Sequence, residues 1–203
     1  MHTAPVSAPL AVDCATGLLV GARQVLSPNF DSRPGGALPE LLVVHGISLP
    51  PGEFGGPWID RMFTGTLPAD AHPFFEDLAS ARLSAHALIR RDGQIVQYVP
   101  FGVRAWHAGV SQYCGRAGCN DFSIGIELEG TEHVPYTDAQ YQQLTELAVA
   151  LLGAYDSLSV DRIVGHCDIA PERKSDPWAT FEWDRFRKAL RARMPAQPSH
   201  GSR

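Results

Sequence analysis

Apolar positions along the chain fall into three short unbroken runs, one hairpin-like pair and two segments of helical period. Leu41-Leu-Val-Val-His-Gly46 is almost wholly apolar and β-branched in its middle, which predicts a central strand covered on both faces. Arg162-Ile-Val164 predicts a buried strand that leaves the sheet at His166. Ser123-Ile-Gly-Ile-Glu-Leu-Glu129 alternates Ile124, Ile126 and Leu128 with Glu127 and Glu129. It predicts a strand, and Glu129 suits its solvated face. Residues 84–91 and 94–99 read as antiparallel strands joined by Asp92-Gly93, a turn whose two residues tolerate positive φ.

Thr137-Asp-Ala-Gln140 has capping-box form and opens a helix carrying Tyr141, Leu144, Leu147, Ala148, Leu151, Leu152 and Tyr155 at helical spacing. A last helix over about 180–193 buries Trp183, Phe186 and Leu190, with acids early and bases late as the helix dipole favours. His72-Pro73 predicts a helix start that turns Phe74, Phe75 and Leu78 inward toward Leu83. Residues 58–63 read as a short helical turn, and residues 17–25 as an edge strand or packed segment. Residues 27–36 and 48–57, rich in Pro and Gly, read as surface loops.

Strands interleaved with helices give an α/β single domain with a central mixed sheet flanked by helices. A chain of 203 residues with 44% apolar content sustains one sizeable core. The boundaries expected are an N-terminal arm over 1–16, a folded unit over 17–194 and a tail over 195–203. Seventeen basic against 22 acidic residues give a net charge of −5, and no Lys/Arg cluster interleaves with aromatics, so nucleic acid is not an expected partner. No apolar run reaches membrane-spanning length. The first 22 residues lack Lys and Arg and are broken by prolines, a poor export signal, so a cytoplasmic protein is expected. The four cysteines are then expected as reduced thiols.

Chemistry concentrates at the strand ends. His45 and His166 stand at C-terminal ends of strands, where open α/β sheets gather their ligands, and the proline-bounded segment after His166 brings Lys174 and Asp176. Two imidazoles and a carboxylate make a catalytic zinc set, three protein ligands leaving a fourth position for water. Glu127, in an otherwise apolar strand, is a candidate general base, and Lys174 a candidate oxyanion partner. Their plainer readings are a solvated strand face and an ordinary surface lysine. A rival centre, Cys167 acting as nucleophile with His166 or His45 as base, is disfavoured because adjacent residues in an extended chain point oppositely. Cys114 and Cys119 bracket a loop without the second pair a structural metal site needs.

Five stretches in consistent order carry a resemblance: residues 41–57, Arg90-Arg-Asp-Gly-Gln-Ile-Val-Gln-Tyr-Val-Pro-Phe101, Arg104-Ala-Trp-His-Ala-Gly109, Cys119-Asn-Asp-Phe-Ser-Ile-Gly-Ile-Glu-Leu-Glu-Gly130 and Gly165-His-Cys-Asp-Ile-Ala-Pro-Glu-Arg-Lys-Ser-Asp-Pro177. Together they resemble the AmpD-type N-acetylmuramoyl-L-alanine amidases, within the wider amidase and peptidoglycan-recognition family, over about residues 20–192. The resemblance implies a Zn2+ hydrolase cutting the amide between the lactyl group of muramic acid and L-alanine in 1,6-anhydro-muropeptides, in cell-wall recycling. It implies zinc on His45, His166 and Asp176, acid–base work by Glu127, an oxyanion role for Lys174, and a substrate groove lined by Arg82, Trp106 and His107. A muropeptide is thus the expected partner of a monomer. Gly46 and Gly118 depart from the pattern, Gly46 where Asn is expected and Gly118 where a basic residue often occurs. Both positions bear on substrate contact. Two other readings stay open at this point: a peptidoglycan-binding module without catalysis, and an exported amidase acting on intact wall.

Overall fold

The computed structural model describes residues 9–194. Six strands form one mixed sheet in the order Ile163–Gly165, Leu41–Ile47, Ser123–Glu129, Ala87–Ile89, Ile95–Gln97, Arg23–Gln24. Leu41–Ile47 runs parallel to both its neighbours, and Ser123–Glu129 runs parallel to Ala87–Ile89. That strand turns back antiparallel into Ile95–Gln97. Arg23–Gln24 is the expected edge strand.

Alternation along the central strands sends neighbouring residues to opposite faces. Leu42, Val44, Ile124, Ile126 and Leu128 pack against Tyr141, Leu144, Leu147 and Leu151 of helix Asp138–Ala154 and against Phe186 and Leu190 of helix Trp183–Arg193. Leu41 and Val43 face the other way, onto Ala108, Cys119, Phe122 and Ile169. His45 and Glu127 share that second face, which short helices and loops cover. The capping box forms as its sequence predicts: Thr137 Oγ1 accepts the Gln140 N–H at 3.1 Å and Gln140 Oε1 accepts the Thr137 N–H at 3.0 Å. Leu152, Tyr155 and Trp183 are packed at the core margin instead of within it.

Several expectations are corrected. All seven residues of Ser123–Glu129 are buried, Glu129 included at 1% exposure, because Arg90 reaches it from the neighbouring hairpin at 3.0 Å. The hairpin closes with Arg90 N–H donating to Gln94 O, so the turn spans three residues and Gly93 alone takes positive φ, at 88°. The helix after Pro73 is one turn, Phe75–Leu78. His72 Nδ1 accepts the Phe74 N–H and holds a turn there, leaving Phe74 and Leu83 exposed while Phe75 is buried. His166 opens a single helical turn, His166–Ile169, before the irregular segment begins. Within the expected arm, Val12–Asp13 pairs with Leu18–Leu19, and Leu10 and Val12 pack on the core. Residues 1–8 and 195–203, with the expected tail, lie outside the described residues. All four cysteines are free thiols.

Candidate metal centre

Parallel pairing sets His45 directly beside Glu127. The strand Ile163–Gly165 pairs on the opposite edge of the His45 strand and delivers His166 one residue past its end. The irregular segment then returns, tied by the Cys167 N–H to the Asp176 carbonyl at 2.9 Å, which brings Asp176 back over His166. Three donors converge. His45 Nδ1 lies 3.0 Å from His166 Nδ1, Asp176 Oδ2 lies 3.1 Å from His166 Nδ1, and His45 Nδ1 lies 3.4 Å from Asp176 Oδ2. All three residues are buried, and these atoms form the group able to hold a metal ion among the described residues. A tetrahedral zinc with ligands at about 2.0–2.1 Å keeps its donors roughly 3.3 Å apart, so the spacing and the N,N,O donor set fit it.

The far nitrogens of both rings are also held. His166 Nε2 faces the Ala108 carbonyl at 3.3 Å, which can only accept, so the ring carries its proton there and presents a bare Nδ1 to the cluster. His45 Nε2 lies 2.9 Å from His107 Nδ1, and His107 Nε2 lies 3.1 Å from Ser123 Oγ. Ser123 Oγ donates to the Cys119 carbonyl at 2.6 Å. Because that carbonyl only accepts, the direction is fixed along the row: His107 Nε2–H donates to Ser123 Oγ, and His45 Nε2–H donates to His107 Nδ1. The Nδ1 lone pair of His45 is thereby left for a cation. Gly125 makes room for this, since a Cβ there would stand 2.4 Å from the His107 ring.

Glu127 forms the floor of a cavity of about 420 Å3 whose lining includes the three clustered residues, Lys174, Trp106, His107 and Trp178. Its Oε2 is buried with no hydrogen-bond partner. Burial, with the nearby Asp176 carboxylate, pushes its pKa up to about 8, while Lys174 pulls the other way. Burial works against the charge of Asp176 as well, yet the two imidazole rings pressed against it, His166 first and then His45, hold its carboxyl below the usual range. Burial keeps His45 neutral, down to about 4.

Of the groove residues expected, Trp106 and His107 line the cavity, though His107 is engaged with His45. Arg82 sits outside the lining, its guanidinium 5.0 Å over the Trp106 ring, whose Nε1 donates to Asp31. Sequence reasoning did not pick out Trp178, Phe74 or Arg173, all on the cavity wall. A large aromatic directly after Pro177, two residues past Asp176, was the available signal for Trp178.

Residues 35–179 match the family described as N-acetylmuramoyl-L-alanine amidase. The chain is 66% identical over 171 residues to the 1,6-anhydro-N-acetylmuramyl-L-alanine amidase AmpD of Escherichia coli, covering 84% of this chain and 93% of that one. The AmpD of Haemophilus influenzae is 51% identical over 179 residues, covering 88% and 97%. A crystal structure of a selenomethionine AmpD derivative superposes with a TM-score of 0.85 at 61% identity, over 88% of this chain and 98% of that one. The complex of Escherichia coli AmiD with anhydro-N-acetylmuramic acid-L-Ala-D-gamma-Glu-L-Lys superposes at 0.55 and 29% identity, over 78% and 60%. Fold, cluster and likeness agree over nearly the whole described length, and the chain belongs to the N-acetylmuramoyl-L-alanine amidase family.

Proposed function

We propose that the protein hydrolyses the amide between the lactyl carbonyl of 1,6-anhydro-N-acetylmuramic acid and L-alanine, in the recycling of cell-wall fragments in the cytoplasm. The observation that carries this is the buried, unpartnered Glu127 Oε2 beside three convergent donors at the floor of one cavity. His45, His166 and Asp176 would hold one Zn2+. When bound, it supplies Lewis-acid polarisation of the carbonyl and activation of water. With a cation held there, Glu127 would be ionised and ready to accept a proton.

Glu127 takes a proton from the attacking water and delivers it to the departing L-alanine nitrogen. A carboxyl tuned toward neutrality serves both halves of that transfer. Lys174, exposed at the rim, supports the negative charge developing on the carbonyl oxygen. Arg173 and Lys174 give one end of the cavity positive charge suited to a peptide whose γ-linked glutamate keeps a free α-carboxylate. Trp106, braced by Asp31 and covered by Arg82, forms part of the groove wall.

The test offers zinc-loaded protein anhydro- and reducing-end muropeptides side by side, with products read by mass spectrometry. Release of a peptide beginning with L-alanine from the anhydro form is expected, and cleavage of the reducing-end form alone contradicts the recycling role. Glu127→Gln should lower turnover by about 10^2–10^4-fold while zinc stays bound; turnover near wild type would remove Glu127 from the mechanism.

A further inference from the structure

The far nitrogens of His45 and His166 rest on two consecutive residues of one loop, the His107 ring and the Ala108 carbonyl. Whatever holds that dipeptide orients both imidazoles at once. The Asn120 side chain holds it: Oδ1 accepts the His107 N–H at 3.1 Å and the Ala108 N–H at 2.8 Å. Successive N–H groups reach a single acceptor only where the chain turns, and a carboxamide oxygen has two lone pairs to offer, so both are spent here. Arg173 ties the same loop by donating to the Ala108 and Val110 carbonyls at 2.7 and 2.9 Å. Asn120 itself belongs to the 3-10 turn Cys119–Asp121. That turn is pinned from within the protein, where Arg33, 5% exposed, donates to the Asn120 and Asp121 carbonyls at 3.2 and 3.3 Å. Its first residue supplies the Cys119 carbonyl that ends the row running from His45 through His107 and Ser123. One turn thus fixes His107 twice, at its backbone N–H and through Ser123 at the tip of its ring.

We propose that Asn120 is a positioning residue of the metal centre, aligning both histidine ligands through His107 and Ala108 without touching metal or substrate. The proposal rests on the reading of His45, His166 and Asp176 as a zinc site. Asn120 lies outside the lining of the catalytic cavity, so it acts on the ligands of the metal and not on the groove. Removing its oxygen leaves two adjacent N–H groups without an acceptor. Ala108 is fully buried, and its N–H finds a new partner only if the loop moves. Such a movement carries the Ala108 carbonyl away from His166 Nε2 and the His107 ring away from His45 Nε2, so both ligands lose the brace that turns Nδ1 toward the cluster. Aspartate at position 120 keeps an oxygen at the same reach and accepts both N–H groups.

The experiment measures zinc dissociation constants for the full-length wild type and for Asn120→Ala, Asn120→Leu and Asn120→Asp, in competition with a chromophoric chelator and with urea melts beside them. Leucine keeps the side-chain volume without the acceptor, so one acceptor-less variant is expected to fold whatever the other does. Thr137→Ala, at a helix packed on the opposite face of the sheet, serves as a control in which the fold is weakened far from the metal. Alanine and leucine should weaken zinc binding about tenfold, and aspartate should restore it to within about threefold of wild type. At saturating zinc the acceptor-less variants should lose kcat while KM for the muropeptide stays near wild type. Zinc affinity unchanged in those variants, or lost as fully with aspartate, overturns the proposal and leaves the zinc site standing. A loss of affinity that Thr137→Ala reproduces, or a raised KM with kcat intact, overturns it as well. A wild type that binds no zinc defeats the reading of the site and the proposal with it.

Discussion

Two carboxylates two residues apart, Glu127 and Glu129, have opposite lives in this protein. Glu129 is neutralised by Arg90 and accepts the N–H groups of Gly55 and Arg91, which makes it a buried structural ion. Removing it by Glu129→Ala leaves Arg90 with Asp60 as its one carboxylate partner among the described residues and should cost about 3–5 kcal/mol of stability in urea melts, with zinc affinity retained. A loss below 1 kcal/mol would return it to the solvated face that alternation assigns it. His107 shows the same limit of sequence reading. Resemblance puts it on the substrate, whereas its two nitrogens are spent on His45 and Ser123. His107→Ala should therefore weaken zinc binding about 10–100-fold in competition with a chromophoric chelator. An unchanged dissociation constant would show that the His45 ring needs no such brace. Neither assignment was legible, because the partners come from distant strands and loops.

At the level of elements, periodicity served where segments were long and failed where they were short. The unbroken run at Leu41–Ile47 and the helical spacing after Thr137 each encode their burial in one stretch of chain, so both elements stand where the sequence predicts. The Thr137 hydroxyl also donates to the Arg91 carbonyl at 2.7 Å, which ties the helix start to the hairpin turn. Thr137→Ala should cost about 1 kcal/mol and lower Tm by roughly 2–4 °C; no shift would mean that water replaces the cap. By contrast the single turn Phe75–Leu78 has too few residues for a period to show, and a side-chain bond from His72 reversed the expected direction of Phe74. The ends of the parallel strands were the most informative element-level feature, since they alone brought His45 and His166 together on paper.

Across the whole molecule, buried cations and histidines are stacked beneath the sheet's catalytic face. Arg33 is buried with its guanidinium on the carbonyls of Phe101, Asn120, Asp121 and Ser123, and beside it His86 accepts the Gly125 N–H. Burial, then the charge of Arg33, pushes His86 down to about 3. An unfolded imidazole titrates near 6.5, so the depressed folded value contributes stability that is intact above that pH and lost as pH falls toward 3. The loss is about 1.4 kcal/mol per pH unit in that window. In metal-free protein, His86→Gln should flatten the fall of the unfolding free energy, taken from urea melts, between pH 6.5 and 5.5 by about 1 kcal/mol, and parallel profiles would contradict it.

The central claim is that His45, His166 and Asp176 hold one catalytic cation. Zinc stoichiometry combined with X-ray absorption at the zinc edge tests it most directly, on wild type and His166→Ala. One zinc per chain with two imidazole nitrogens and a carboxylate oxygen among its ligands is expected, lost together with amidase activity in the variant. Zinc bound equally well by His166→Ala, or muropeptide cleavage undiminished after complete chelation, would contradict it.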